Sequence, residues 1–197
     1  MAVVFTRRTT APSSTNKYYI KTPYGGYNRC IVINTTTGSC LPNCTGYAWG
    51  RYCEEQGIHN CKLSRGNAEI WYGNTSDGYA RGRTPKLGAV ICWHSTRSGG
   101  HVAIVEKIND DGSIETSNSA YSGSRFYMKK LTPPNYFMGS AYTFQGFIYP
   151  DTEFIDPDTP IPPPILKKKE HRFPWVLYSR KFRTRNFTLS WHIIDIN

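Results

Sequence analysis

Two residues with nucleophilic and acid–base chemistry stand out in the sequence, Cys44 and His101. Cys44 directly follows Asn43, a good N-cap residue, and so falls in the first turn of a predicted helix. There the helix dipole and unpaired N–H groups lower the pKa of a thiol. His101 opens an apolar strand behind Gly99 and Gly100, two glycines that favour close backbone approach or substrate access. A cysteine beside a histidine is the arrangement of a nucleophile with its general base.

A third polar residue is needed to orient the histidine ring, and the sequence places several candidates beside it. The turn signal NDDG joins strand 101–108 to strand 113–120, so the two strands are expected to be antiparallel neighbours. The second strand can then bring one polar side chain near the imidazole. The candidates are Glu115, Ser117, Asn118 and Ser119.

The remaining pattern predicts an α+β fold. Three- and four-residue spacing after Asn43 predicts a helix that ends at Gly57, and a second short helix is expected near residues 66–72. Apolar and alternating segments then predict strands. They cover residues 87–93, 101–108, 113–120, 125–131 and 144–150. Helices followed by an antiparallel meander are typical of the α+β class.

Composition divides the chain into four segments: an N-terminal arm at 1–24, a main domain at 25–150, a proline-rich linker at 151–166 and a basic, aromatic tail at 167–197. The net charge of +10 lies largely in the tail, so no nucleic-acid partner is predicted. No apolar run approaches the ~20 residues of a membrane span, and no membrane partner is predicted. The N-terminus lacks the pattern of a signal peptide, so routing by that pathway is not expected.

The six cysteines admit several structural interpretations. Without a secretory signal a disulfide framework is not expected, and Cys30, Cys40, Cys53, Cys61 and Cys92 are predicted to be small buried side chains. A zinc site would draw on neighbours in the sequence, namely Cys40, Cys44, Cys53, His59 and Cys61. Their spacing lacks two regular pairs, so no metal or cofactor is predicted. A redox or metal protein remains an alternative.

Taken together, four segments of the sequence resemble the CHAP domain. They are LPNCTGYAWGRYCEEQG, LGAVICW, GGHVAIVEKINDDGSIETSNSAY and QGFIYP. The family comprises cysteine- and histidine-dependent amidohydrolases and peptidases, common in bacteriophage lysins and bacterial wall hydrolases. The resemblance implies a papain-like fold, with N-terminal helices carrying the nucleophile against an antiparallel sheet. It also implies cleavage of an amide bond in peptidoglycan.

By this resemblance Cys44 is the nucleophile, His101 the general base and Asn118 the orienting residue. Many members have Glu at the position of Asn118 and Asn at that of Ala120, so this chain departs from the family at both. Glu115 is the alternative third residue. An acidic calcium loop precedes the nucleophile in some members, but NTTTGSCLPN has no acid and no calcium is expected. Candidates for the oxyanion site or the cleft are Asn43, Trp93 and Tyr121.

The function expected from these observations is that of a bacteriophage peptidoglycan hydrolase, an amidase or endopeptidase used in wall penetration or lysis. Its apolar tail suits an anchor to a phage tail protein, in a virion tail tip or in host cytoplasm before release. An alternative is a structural or wall-binding tail component that keeps the fold with weak catalysis.

Overall fold

The computed structural model describes residues 2–19 and 39–159. Residues 160–166 of the predicted linker, the predicted tail at 167–197, and Cys30 lie outside these ranges. Within the described ranges, no helix is long and apolar enough to cross a membrane.

The helix that begins with Cys44 forms because Asn43 caps it. Asn43 has an extended backbone (φ −168°), and its side-chain oxygen accepts the backbone N–H of Gly46 at 2.7 Å. This helix, α1, spans Cys44–Glu55. The chain then turns at Gly57, whose φ of +68° favours glycine. The predicted helix is confirmed, including its N-cap.

An antiparallel sheet follows the helices along the chain. A short helix α2, Ala68–Trp71, and a 3-10 turn at Thr75–Asp77 lead into it. Its strands are β2 (Arg81–Gly82), β3 (Val90–Ser95), β4 (His101–Ile108), β5 (Ile114–Asn118), β6 (Tyr127–Leu131) and β7 (Tyr142–Ile148). They lie in the order β2-β7-β3-β4-β5-β6, and every neighbouring pair is antiparallel. The predicted α+β class and the pairing of β4 with β5 are confirmed.

Both faces of the sheet are covered, because successive side chains of a strand point to opposite faces. Val102 and Ile104 point to the face packed against α1, where they share one apolar cluster with its side chains. Trp93 and Ala103 belong to a second cluster, which includes Phe147 of β7. The central strands β3 and β4 are therefore held from both sides, and the start of β4 is fixed with them.

The N-terminal segment packs on the main domain. A short strand β1 (Val3–Val4) pairs in parallel with β8 (Phe154–Ile155), and Tyr19 is buried in the cluster around α1. The predicted arm at 1–24 thus supplies core side chains in its described part. The linker predicted at 151–166 begins with a strand. The sequence did not predict β1 or β8, because strands of two residues are too short to show a periodic pattern.

Cys53 and Cys61 form a disulfide, which corrects the prediction that both are isolated buried thiols. The reversal at Gly57 brings the chain back beside the end of α1, so the two Cα atoms lie 5.4 Å apart. The sequence argument failed because it rested on the expected compartment and ignored this local turn. The free cysteines of the described residues are all buried: Cys40, Cys44 and Cys92.

A buried ion pair connects α1 to the sheet. Arg51 donates to Glu106 of β4 through two nitrogens, at 2.9 and 3.0 Å, and the side chains are only 4% and 1% exposed. Glu106 also accepts the Ser117 hydroxyl at 2.7 Å and the Arg8 backbone N–H at 2.8 Å. Burial acts to lower the pKa of Arg51, but the charge of Glu106 and its hydrogen bonds outweigh it and raise the pKa. The Arg51 guanidinium is thus charged in the fold.

Loss of one partner from this pair should be costly. Arg51→Met leaves the Glu106 carboxylate buried and unpaired, and we expect a loss of about 3–5 kcal/mol in the free energy of unfolding. The double variant Arg51→Met/Glu106→Gln should recover much of that loss, because no buried charge remains. Urea denaturation followed by circular dichroism measures both.

The control is Arg97→Met, at an exposed position, which should stay within about 0.5 kcal/mol of the parent. An equal loss in the single and double variants would contradict an electrostatic origin.

Candidate active site

The Cys44 thiol lies at the N-terminus of α1, next to a fully engaged cap. The Asn43 side-chain oxygen accepts the hydroxyl of Thr45 at 2.6 Å as well as the N–H of Gly46. Asn43, predicted as an oxyanion or cleft residue, lines the same cavity as Cys44, but its oxygen is committed to the cap. Its described role is therefore to hold the first turn of the helix.

His101 is placed by the loop that precedes β4. Gly100 has a φ of +82°, and a Cβ atom there would lie 2.5 Å from the backbone nitrogen of Glu69. That nitrogen donates to the carbonyl of Gly99 at 2.9 Å, which joins the loop to α2. Glycine at position 100 is thus required for the loop to pass close to α2 and deliver His101 to the start of the strand.

Asn118 holds the imidazole ring in one tautomer. The Asn118 side-chain oxygen lies 3.1 Å from Nε2 of His101. The Asn118 amide nitrogen donates to both the carbonyl and the hydroxyl of Thr116, each at 3.0 Å. Because Thr116 fixes which end of the amide is the donor, Nε2 of His101 must carry the proton. The neutral ring then accepts a proton at Nδ1.

Glu115, the alternative third residue, lies elsewhere. It is half-buried near the other end of β5, in register with Lys107 and Lys130 on the two neighbouring strands. Asn118 is the residue of this strand that the structure brings to His101.

Cys44 and His101 line one cavity of about 520 Å³. Part of its wall comes from α2 and the loop before β4, including Asn67 and Ser98. Tyr121, predicted as a cleft residue, lines this cavity and is 65% exposed. Among the described residues that line it, none is Asp, Glu, Lys or Arg.

Trp93, the other predicted cleft residue, is a core residue instead. It is fully buried, and its indole N–H donates to the carbonyl of Tyr136 at 2.9 Å. Its ring lies 5.7 Å from that of His101, its partner in the pairing of β3 with β4. Trp93 thus supports the imidazole from within the second apolar cluster. The alternation of β3 thus places this cleft candidate in the core, among the residues of the second apolar cluster.

The structure adds cavity residues that the sequence did not indicate. Tyr127, Met138 and Tyr142 come from β6, from the segment after it and from β7. No local signal marks them, since they reach the cavity only through the order of the strands. Burial raises the pKa of Tyr127 to about 12, with smaller contributions from Cys44 and Tyr142. Its hydroxyl is therefore a hydrogen-bond donor at neutral pH.

The electrostatics of the pair differ from the sequence prediction. Burial raises the pKa of Cys44, and the backbone N–H groups of Val102, Thr45 and Cys44 itself offset this only in part. Burial also lowers the pKa of His101 to about 4, although the hydrogen bond that the ring donates to Asn118 acts to raise it. The predicted lowering of the thiol pKa is wrong in direction. At neutral pH both the thiol and the imidazole are therefore in their neutral forms.

The proposed zinc ligands are not available as a set. Cys53 and Cys61 are bonded to each other, which removes two of the five candidates. Across residues 2–19 and 39–159, no group of three or more His, Cys, Asp or Glu side chains is arranged to hold a metal ion.

Residues 34–120 match the family model of the CHAP domain, the family that the sequence resembles. The chain is 36% identical over 93 residues to the probable autolysin SsaALP of Staphylococcus aureus, which covers 46% of this chain and 34% of that protein. It is 26% identical over 138 residues to the N-acetylmuramoyl-L-alanine amidase sle1 of Staphylococcus aureus, which covers 66% of this chain and 38% of that protein.

A crystal structure of an N-acetylmuramoyl-L-alanine amidase from Staphylococcus aureus aligns with a TM-score of 0.38 at 25% identity, over 55% of this chain and 31% of that one. The chain spans only about a third of the length of these curated relatives.

The ionisation of Cys44 should be visible in its reactivity. We expect alkylation of Cys44 by iodoacetamide to be slow at pH 6 and to rise steadily beyond pH 8.5, because burial holds the thiol protonated. Peptide mapping by mass spectrometry separates Cys44 from the other cysteines, and Cys44→Ala provides the control. A plateau of fast alkylation between pH 5 and 7 would contradict the expectation and indicate a preformed thiolate–imidazolium pair.

Proposed function

We propose that this protein is a peptidoglycan hydrolase that cleaves an amide bond by cysteine nucleophilic catalysis. The observation that carries the proposal is that Cys44 and His101 line one cavity, with Asn118 hydrogen-bonded to the histidine ring. A nucleophile, a base and a residue that orients the base are the minimum for such a reaction. The match to the CHAP domain and the autolysin and amidase names of the relatives support the choice of substrate.

In the proposed mechanism the Cys44 sulfur attacks the amide carbonyl while Nδ1 of His101 takes the thiol proton. Backbone N–H groups at the start of α1 stabilise the oxyanion. His101 then returns the proton to the leaving amine, the C–N bond breaks and a thioester remains. Water attacks the thioester with His101 as base, which releases the acid and restores the thiol. Asn118 keeps the ring in the required tautomer throughout.

The proposal includes a papain-like arrangement of the domain. What supports it is the placement of the nucleophile at the start of α1, and of the base and its orienting residue on β4 and β5, against which α1 packs. The oxyanion donors at a helix start and the base on a facing strand then approach the carbonyl from two sides.

A phage origin and docking to a phage tail protein are the finer part of the proposal. Their support lies in the sequence alone. The segment at 167–197 combines bulky apolar residues, which need a partner for burial, with an excess of positive charge. The competing function is a wall-binding component with weak catalysis. The specific observation in its favour is Asn118 at a position where many CHAP domains have glutamate.

Wall clearing tests the nucleophile. The purified protein should reduce the turbidity of Gram-positive cell walls and release new amino groups, and Cys44→Ala should abolish both, since removal of such a nucleophile costs about 10⁴-fold or more. Cys92→Ala, at another free buried thiol, is the matched control and should keep the activity. If the parent protein clears none of several wall chemotypes, the proposed enzymatic activity is overturned and the wall-binding function is favoured.

A second comparison tests the orienting residue. Asn118→Ala removes the acceptor that fixes the tautomer of His101, so we expect the clearing rate to fall by about 10–100-fold. Glu115→Ala, on the same strand, should stay within about twofold, because Glu115 lies away from the histidine. A larger fall in clearing rate for Glu115→Ala than for Asn118→Ala would identify Glu115 as the third residue.

A further inference from the structure

Ser119 directly follows β5, whose last residue Asn118 contacts His101, and it connects this end of β5 to the helix that contains Cys44. The backbone N–H of Asn43 donates to the Ser119 hydroxyl oxygen at 3.0 Å. Asn43 is the N-cap of α1, and Cys44 is the next residue. Ser119 is fully buried, so this hydrogen bond is protected from competition with water.

The same hydroxyl is anchored on its other side. It donates to the carbonyl of Ser124 at 3.4 Å, and that carbonyl also accepts the backbone N–H of Ala120 at 2.9 Å. Ser119 therefore joins the cap of α1 to the turn that follows β5. Ala120 and Tyr121 of this turn line the cavity. Movement of the turn would be passed to the helix start through one hydroxyl group.

Asn118 and Ser119 are consecutive, and side chains of consecutive extended residues point in opposite directions. Asn118 points to His101 and Ser119 to Asn43. One end of β5 thus holds the base on one side and the cap residue of the nucleophile on the other. The distance between Cys44 and His101 depends on both contacts.

We propose that Ser119 is a positioning residue, whose hydroxyl fixes the start of α1 so that the Cys44 thiol meets the His101 ring held by Asn118. The inference rests on the proposed function of Cys44 and His101. It assigns to Ser119 no contact with substrate. Ser119→Ala removes the oxygen that contacts both the cap and the turn, and so removes the acceptor that the structure shows for the N–H of Asn43.

The test measures how strongly His101 assists the thiol, with and without Ser119. The readout is the rate of Cys44 alkylation by iodoacetamide at pH 8, mapped by mass spectrometry. We expect Ser119→Ala to be roughly tenfold slower than the parent, since a small displacement of reacting groups weakens their coupling. In the His101→Ala background, Ser119→Ala should have no further effect. Ser119→Thr, which keeps the hydroxyl, should restore most of the rate.

The matched control is Ser113→Ala, a buried serine before the other end of β5 whose hydroxyl donates to Asp111. In Ser113→Ala, the alkylation rate of Cys44 should equal that of the parent. Near-UV circular dichroism and urea denaturation identify any variant that fails to fold. If Cys44 in folded Ser119→Ala reacts within twofold of the parental rate, the positioning role is overturned. The role is also overturned if Ser119→Ala slows the reaction as much in the His101→Ala background as in the parent. Because alkylation needs no wall substrate, this result is independent of whether the protein clears cell walls.

Discussion

The fold depends on the need to satisfy one buried carboxylate, that of Glu106. Apolar packing alone would hold α1 against the sheet without fixing its rotation about its axis. The two-nitrogen contact with Arg51 and the hydroxyl of Ser117 set that rotation, because a charge 1% exposed must keep its partners. The N-terminal segment joins the same group through the backbone N–H of Arg8. The helix, the sheet and the N-terminal segment therefore all contact one side chain, that of Glu106.

Contacts at the end of β5 connect the Glu106 network to the candidate active site. Ser117, Asn118 and Ser119 are consecutive and fully buried, and each makes a different connection: to Glu106, to His101 and to the cap of α1. The first contact fixes the helix rotation, and the other two hold His101 and the residue before Cys44. A strand is suited to this because its alternation sends neighbouring side chains to opposite sides at fixed spacing. The same short segment, residues 117–119, thus contributes both to the stability of the core and to the geometry of the site.

Local signals explain what could be predicted from the sequence. The cap at Asn43, the glycine stop at Gly57 and the turn between β4 and β5 are short-range features, and with them the helix and the strand pairing were predicted correctly. The pairing in turn left four polar candidates near His101, and the resemblance to the CHAP domain selected Asn118 among them. Trp93 and the cysteine pair failed for a different reason. The burial of both faces of β3, and the pairing of cysteines that meet after a chain reversal, depend on the assembled fold.

The electrostatics of the site show most clearly how burial overrides a local rule. A helix start stabilises a thiolate, and three backbone N–H groups do act on Cys44 in that direction. The same packing that positions the thiol also removes water from it, and this cost is the larger. His101 is affected in the opposite sense, since burial disfavours its charged form. Each group alone therefore resists ionisation, whereas proton transfer between them creates two opposite charges that stabilise one another. The proposed reaction therefore needs the thiol and the ring to be held together, so in this proposal the contacts around Asn43 and Asn118 matter more than the helix dipole.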